Sequence, residues 1–247
     1  MPQTVRKSKP PEQSLAKGSA DLCYNIFRRS RPDVDVGERR TRKTGMKKIL
    51  YLHGFCSSGA SGTVDLLRRE FWERTDAAHR AVVVAPDIPI DPLAAFPMLE
   101  TLAYEEMPDL IIGTSMGGFY AQQLHGFTRI CVNPSFWLTK KYDVLYVGKH
   151  KWLNRRKDGA TEFHVTKETI AHFQEMEARQ FEGVTDDDRT LCHGLFGDED
   201  TLLAPQTRSV FEQHYPGMSH AFPGGHRMND QVVTHVLLPY IKSLNVI

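Results

Sequence analysis

Hydrophobic residues in this chain come in short unbroken runs rather than in alternation. From residue 46 onward the runs KKILYLH (47–53), AVVVAPD (81–87), DLIIG (109–113), RICVNP (129–134) and TLCHGLFG (190–197) are rich in aliphatic side chains. A strand covered on one face alternates apolar and polar positions, whereas a strand covered on both faces is apolar throughout. These five runs predict strands buried on both sides. Between and after them lie helix-length segments: TVDLLRREFWERT (63–75), PLAAFPMLETLAYEEM (92–107), MGGFYAQQLHG (116–126), PQTRSVFEQHY (205–215) and DQVVTHVLLPYIKSL (230–244). Strands and helices taking turns in this way predict an α/β fold with a mostly parallel sheet and helices on both faces.

Two stretches depart from the rhythm. Residues 137–188 form a long insertion between two strands, with a helix predicted over KETIAHFQEMEARQF (167–181). Its first half, KKYDVLYVGKHKWLNRRKDG, is basic and aromatic. Insertions of this length are often lids or binding loops. The stretch reads equally as a solvated basic face or as a substrate cap, and as a cap its charge would favour an acyl group carried on an anionic partner. Residues 1–45, rich in Lys, Arg, Pro, Ser and Gly, show no sustained periodicity and read as a basic disordered tail before a domain spanning 46–247.

Charge sharpens that division. The tail holds 11 Lys/Arg against 5 Asp/Glu, and the rest holds 20 against 25. The body is mildly acidic, so no nucleic-acid partner is expected. No run approaches the roughly 20 apolar residues that span a bilayer, and no apolar signal core opens the chain. A cytoplasmic location is the expectation. Cys23, Cys56, Cys131 and Cys192 lie far apart without metal-ligand spacing, and Cys131 and Cys192 fall in apolar runs that suit buried free thiols. GASGT (59–63) lacks the lysine of a nucleotide-binding P-loop.

The chemistry gathers around IIGTSMGGFY (111–120). Gly113-Thr114-Ser115-Met116-Gly117 fits G-x-S-x-G directly after a predicted strand and before a predicted helix, which is the setting of a nucleophile elbow. Ser115 would then stand at the carboxyl edge of the sheet, where open α/β folds bind ligands. An oxyanion formed there needs two convergent donors. The N–H of Met116 is one candidate, and that of Phe55, in the HGF turn after the first strand, is the other. His53 is read as orienting that turn rather than as a base.

A serine needs a base, and the base a carboxylate. In this architecture the chain order is Ser, Asp/Glu, His. FGDEDTLL offers Asp200, with Asp198 as the alternative. GMSHAFPGGHRMNDQVV offers His226, in a loop after Gly224-Gly225, with His220, inside a short strand, as the alternative.

Taken together, ILYLHGFCSSGAS, IIGTSMGGFYAQQL, CVNPSF, FGDEDTLL and the late glycine–histidine loop resemble the YqiA/YcfP-like family of small α/β-hydrolase esterases, over roughly residues 47–244. The resemblance implies an α/β-hydrolase fold, to which the insertion at 137–188 would add a lid-like element. It also implies hydrolysis of a small-molecule acyl ester or thioester, with Ser115 as nucleophile, Asp200 as acid, and Phe55 and Met116 as oxyanion donors. It leaves the base open, since members carry a histidine before Ala-Phe, as at His220, or after a glycine pair, as at His226. No metal or organic cofactor is expected. Acyl transfer at the same site and a non-catalytic binding module are the competing readings.

Overall fold

The computed structural model describes residues 46–73, 80–141 and 143–247. The basic tail, with Cys23, and the end of the helix expected over 63–75 lie outside them. The described strands form a six-stranded sheet from β1 (Lys47–Leu52), β2 (Ala81–Val84), β3 (Leu110–Thr114), β4 (Arg129–Val132), β7 (Cys192–Gly197) and β8 (Ser219–Phe222). Their order is β2-β1-β3-β4-β7-β8, and every neighbouring pair is parallel.

The unbroken apolar runs have a direct structural meaning. Along β1, Leu50 and Leu52 enter one core while Ile49 and Tyr51 enter the other. Ile111 in β3 and Cys131 in β4 join the first core, while Ile112, Ile130 and Val132 join the second. The first is closed by α2 (Pro92–Glu106), α3 (Met116–Ala121), α4 (Lys167–Arg179) and α6 (Thr207–His214). The second is closed by α1 (Gly62–Arg68) and by the C-terminal helical segment. That segment runs from α7 (Asp230–Val232) through a π-turn at Val233–Leu237 into α8 (Leu238–Ser243). Side chains of the inner strands therefore meet apolar cover whichever way they point. Those of the edge strands do not: Val82 of β2 is 38% exposed, and His220 and Ala221 of β8 are exposed. The burial on both sides expected of AVVVAPD fails because β2 lies at the sheet edge. None of the described helices is long and apolar enough to cross a membrane.

Helix α3 ends five residues before the limit its sequence suggests. The carbonyl of Gln122, its C-cap, accepts from the buried Arg129 guanidinium at 3.0 Å and from the Tyr215 hydroxyl at 3.3 Å. Gln123 and Leu124 then tighten to carbonyls three residues back, and Gly126, with φ 79°, takes the chain out toward β4. A cation on the terminal carbonyls is a standard way to stop a helix.

The insertion contains the predicted helix, as α4, and a β-hairpin that the sequence pattern did not reveal: β5 (Gly148–Lys151) paired antiparallel with β6 (Glu162–Val165). Helix α4 is stitched to the body. Glu177 accepts from the Thr139 amide at 2.8 Å and from its hydroxyl at 2.5 Å, and Gln180 donates to the Phe136 carbonyl at 2.9 Å. The short helix α5 (Asp186–Arg189) leads back into β7.

Candidate active site

In strand order 2-1-3, β1 and β3 are neighbours whose onward connections leave to opposite sides, which opens a crevice beyond their carboxyl ends. The loop after β1 and the turn after β3 both lie there. Ser115 occupies that turn with φ 54° and ψ −116°. A non-glycine residue is rarely found there, and such strain persists only where surrounding structure enforces it. The enforcement is steric. A Cβ on Gly113 would sit 2.2 Å from the Gly117 carbonyl oxygen, and one on Gly117 would sit 2.0 Å from that of Leu52. Both positions of the G-x-S-x-G turn exclude any side chain, and the serine between them is turned outward.

Three chain segments meet at its hydroxyl. His226 Nε2 lies 2.9 Å from Ser115 Oγ, and His226 Nδ1 lies 2.7 Å from Asp200 Oδ2. The second carboxylate oxygen of Asp200 accepts from the amides of Leu202 (2.8 Å) and Leu203 (3.1 Å). Burial alone would raise the Asp200 pKa, but the hydrogen bond and charge of His226, with the two amides, outweigh it and hold the carboxyl below its ordinary value. Its side chain is 2% exposed and that of His226 16%. The alternatives lie elsewhere: His220 packs on the Tyr240 ring at 5.0 Å, and Asp198 accepts from the Gly224 amide at 3.1 Å, bracing the loop before His226.

The loop after β1 comes up against the serine: a Cβ on Gly54 would be 3.3 Å from that of Ser115. His53, 1% exposed, organises this loop. Its Nε2 accepts from the Ile88 amide at 3.0 Å, so Nδ1 carries the hydrogen and donates to the Gly54 carbonyl at 2.8 Å. Burial holds the imidazole neutral, with its pKa lowered to about 4. Met116 is the first residue of α3, so its N–H has no acceptor within the helix. Among the described residues, neither that N–H nor that of Phe55 has a hydrogen-bond partner.

The insertion reaches the site through Phe55, whose ring meets His150 (5.5 Å) and Phe163 (5.7 Å) of the β5–β6 hairpin edge-on. Leu153 donates its amide to the Cys56 carbonyl at 2.8 Å, and Ser58 donates to that of Arg155 at 2.8 Å. The basic stretch is divided in two. Lys149, Lys151 and Arg155 are exposed, whereas Arg156 is buried over the Trp152 ring at 4.0 Å. Arg156 belongs to the packing of the hairpin and not to a solvated basic face.

Two residues of the site escaped the sequence reading of roles. Asn133, at the end of β4 with φ 45°, donates from Nδ2 to the carbonyls of Gly225 (3.0 Å) and His226 (3.2 Å) and accepts from the Gly197 amide (2.7 Å). It ties the loop that carries His226 to the sheet. Ser135 places its hydroxyl 3.0 Å from Ser115 Oγ and donates its amide to the Ser115 carbonyl at 3.1 Å. The available signal was their position in CVNPSF, immediately after the strand that follows the elbow.

A wound parallel sheet with a strained serine turn between β3 and its helix, and with an acid loop and a histidine loop at the same rim, defines the α/β-hydrolase fold. Solved structures share it. Est1E from Butyrivibrio proteoclasticus superposes with a TM-score of 0.58 at 14% identity, covering 83% of this chain and 90% of that one. The monoacylglycerol lipase of Paleococcus ferrophilus gives 0.55 at 13%, covering 82% and 96%. Mouse α/β hydrolase domain-containing protein 10 gives 0.53 at 14%, covering 82% and 91%. Within this fold the chain belongs to the uncharacterised protein family UPF0227, whose sequence profile matches residues 48–186.

Proposed function

We propose that this protein is a serine hydrolase that cleaves small-molecule carboxylic esters or acyl-thioesters through an acyl-enzyme. The observation that carries the reading is the unbroken relay from Asp200 through His226 to Ser115 at a sterically enforced elbow. In this reading His226 takes the Ser115 proton as Oγ attacks the acyl carbon. Asp200 holds the Nδ1–H tautomer and stabilises the imidazolium, and the amides of Phe55 and Met116 receive the oxyanion. The leaving alcohol or thiol takes the proton back from His226. Water then repeats the sequence on the acyl-enzyme and releases the acid. Ester chemistry is also favoured by the lipase among the structures of the same fold.

A panel of chromogenic esters and thioesters of graded acyl length tests the reading on wild type and on Ser115→Ala, His226→Ala and His220→Ala. Turnover by wild type and His220→Ala, with loss in the other two, is the expected result. Activity surviving in Ser115→Ala, or lost in His220→Ala and kept in His226→Ala, would overturn it.

A further inference from the structure

The hydrogens of the relay can be counted from one end to the other. Asp200, held as a carboxylate, only accepts, so the hydrogen between it and His226 sits on Nδ1. A neutral imidazole then presents Nε2 as an acceptor, and the single Ser115 hydrogen must point at it across 2.9 Å. Ser115 has no second hydrogen to offer Ser135. In the 3.0 Å contact between the two hydroxyls the donor is therefore Ser135. Its backbone is held in place by its amide bond to the Ser115 carbonyl.

We propose that Ser135 is a further catalytic residue of this site, donating a hydrogen bond to Ser115 Oγ and stabilising the charge on that oxygen as the acyl–oxygen bond forms and breaks. The inference rests on the hydrolase reading above. In acylation, one Oγ lone pair forms the bond to the acyl carbon while the Ser115 proton passes to His226 Nε2. The Ser135 hydrogen bond holds the other lone pair. In deacylation, water adds to the acyl carbon and gives a proton to His226. The C–Oγ bond breaks, its electron pair goes to Oγ, and Oγ recovers a proton from Nε2. Ser135 keeps its own proton throughout. In the acyl-enzyme Oγ is an ester oxygen and a weak acceptor, whereas in the flanking transition states it carries charge. The bond is stronger in the transition states, which is the condition for a contribution to rate.

The test compares wild type with Ser135→Ala and the near-isosteric Ser135→Cys, a weaker donor. The substrates are 4-nitrophenyl and phenyl esters of one short acid. Rapid mixing separates acylation from decay of the acyl-enzyme, and a fluorophosphonate probe reports whether Ser115 remains reactive. The expected result is a roughly ten-fold slower decay of the acyl-enzyme in both variants, about the effect of one lost hydrogen bond. The decrease is the same for both leaving groups, with Ser115 still labelled and the thermal midpoint unchanged. Decay within two-fold of wild type in both variants would overturn the inference. So would a loss confined to acylation that grows with leaving-group basicity, because it would assign the hydroxyl to the departing group. Wild type that takes neither label nor ester would instead defeat the hydrolase reading and this inference with it.

Discussion

Asp200 and Asp188 each hold a histidine Nδ1 from a largely buried carboxylate, at 2.7 Å to His226 and 2.5 Å to His125. Their side chains are similarly enclosed, and both carboxyls lie below their ordinary pKa. The difference lies in the second carboxylate oxygen and beyond the imidazole. At Asp188 that oxygen receives the buried Arg129 guanidinium at 2.7 Å and the Gly126 amide at 3.0 Å. At Asp200 it receives two neutral amides. The charge of Asp188 is already balanced by a permanent cation, while that of Asp200 has a cation beside it only when His226 gains a proton. Beyond the imidazole, His226 faces Ser115. Among the described residues no serine or cysteine is hydrogen-bonded to His125. An aspartate–histidine contact is thus an architectural part in one place and, in the proposed function, the rear of a proton relay in the other, according to what surrounds it.

Substitution of each aspartate should separate the two. Asp200→Asn is expected to lower kcat by a factor on the order of 10⁴, because the amide favours the wrong imidazole tautomer, with little change in the unfolding midpoint. Steady-state kinetics beside a denaturant titration will show it. Asp188→Ala should do the opposite. It strands the Arg129 cation in the interior, where removing one partner of a buried pair costs about 3–5 kcal/mol, while activity per folded molecule stays near wild type. Urea titration with active-site labelling distinguishes these outcomes, and a fall in activity alone would blur the comparison.

Acid should reach the two regions in sequence. The His53 pKa falls from 6.5 in the unfolded chain to about 4 when folded. Between those values the unfolded state takes up a proton that the folded state refuses, so stability declines as pH falls from 6.5 to 4. The full decline from this group is about 3 kcal/mol. Asp188 goes from 3.8 unfolded to about 2 folded. Its contribution is fully present above about pH 4 and is lost as pH falls toward 2, worth about 2 kcal/mol. Stability measured in pH steps should therefore drop first through the His53 window, to which His193, likewise lowered to about 4 by burial, also contributes, and only later through the Asp188 window. A flat profile from pH 6.5 to 4 would show that His53 is not held neutral.

The smallest expected effect tests the strap. Asn133→Gly keeps a residue suited to φ 45° but removes three side-chain hydrogen bonds to the Gly197 amide and the His226 loop. A roughly ten-fold lower kcat with KM little changed is expected, since the histidine is loosened and not removed.

What could be read beforehand follows how local each feature is. The strands were legible because a two-sided cover leaves unbroken apolar runs: β1, β4 and β7 fall within them, and β3 passes the end of its run by one residue. Ser115 was legible because the two glycines its strained turn requires, Gly113 and Gly117, lie within five residues, although the carbonyl that excludes a side chain at Gly117 belongs to Leu52 on β1. The early stop of α3 was not, because the group that ends it, Arg129, lies on the next strand. Nor was the hairpin at 148–151 and 162–165, whose aromatic positions are paired by an antiparallel register and covered by Phe55 from another loop.

By itself, then, the sequence determined the strands and helices of the two-faced sheet and the glycine-flanked position of Ser115, because hydrophobic periodicity and the small residues of a tight turn are local properties. The tertiary structure decided which imidazole faces Ser115 and which carboxylate stands behind it, that His220 turns to Tyr240 instead, and that Asn133 and Ser135 belong at the rim. Those outcomes depend on strand order, since β3, β4, β7 and β8 are adjacent in the sheet and their carboxyl ends bring residues from 115 to 226 within hydrogen-bond reach.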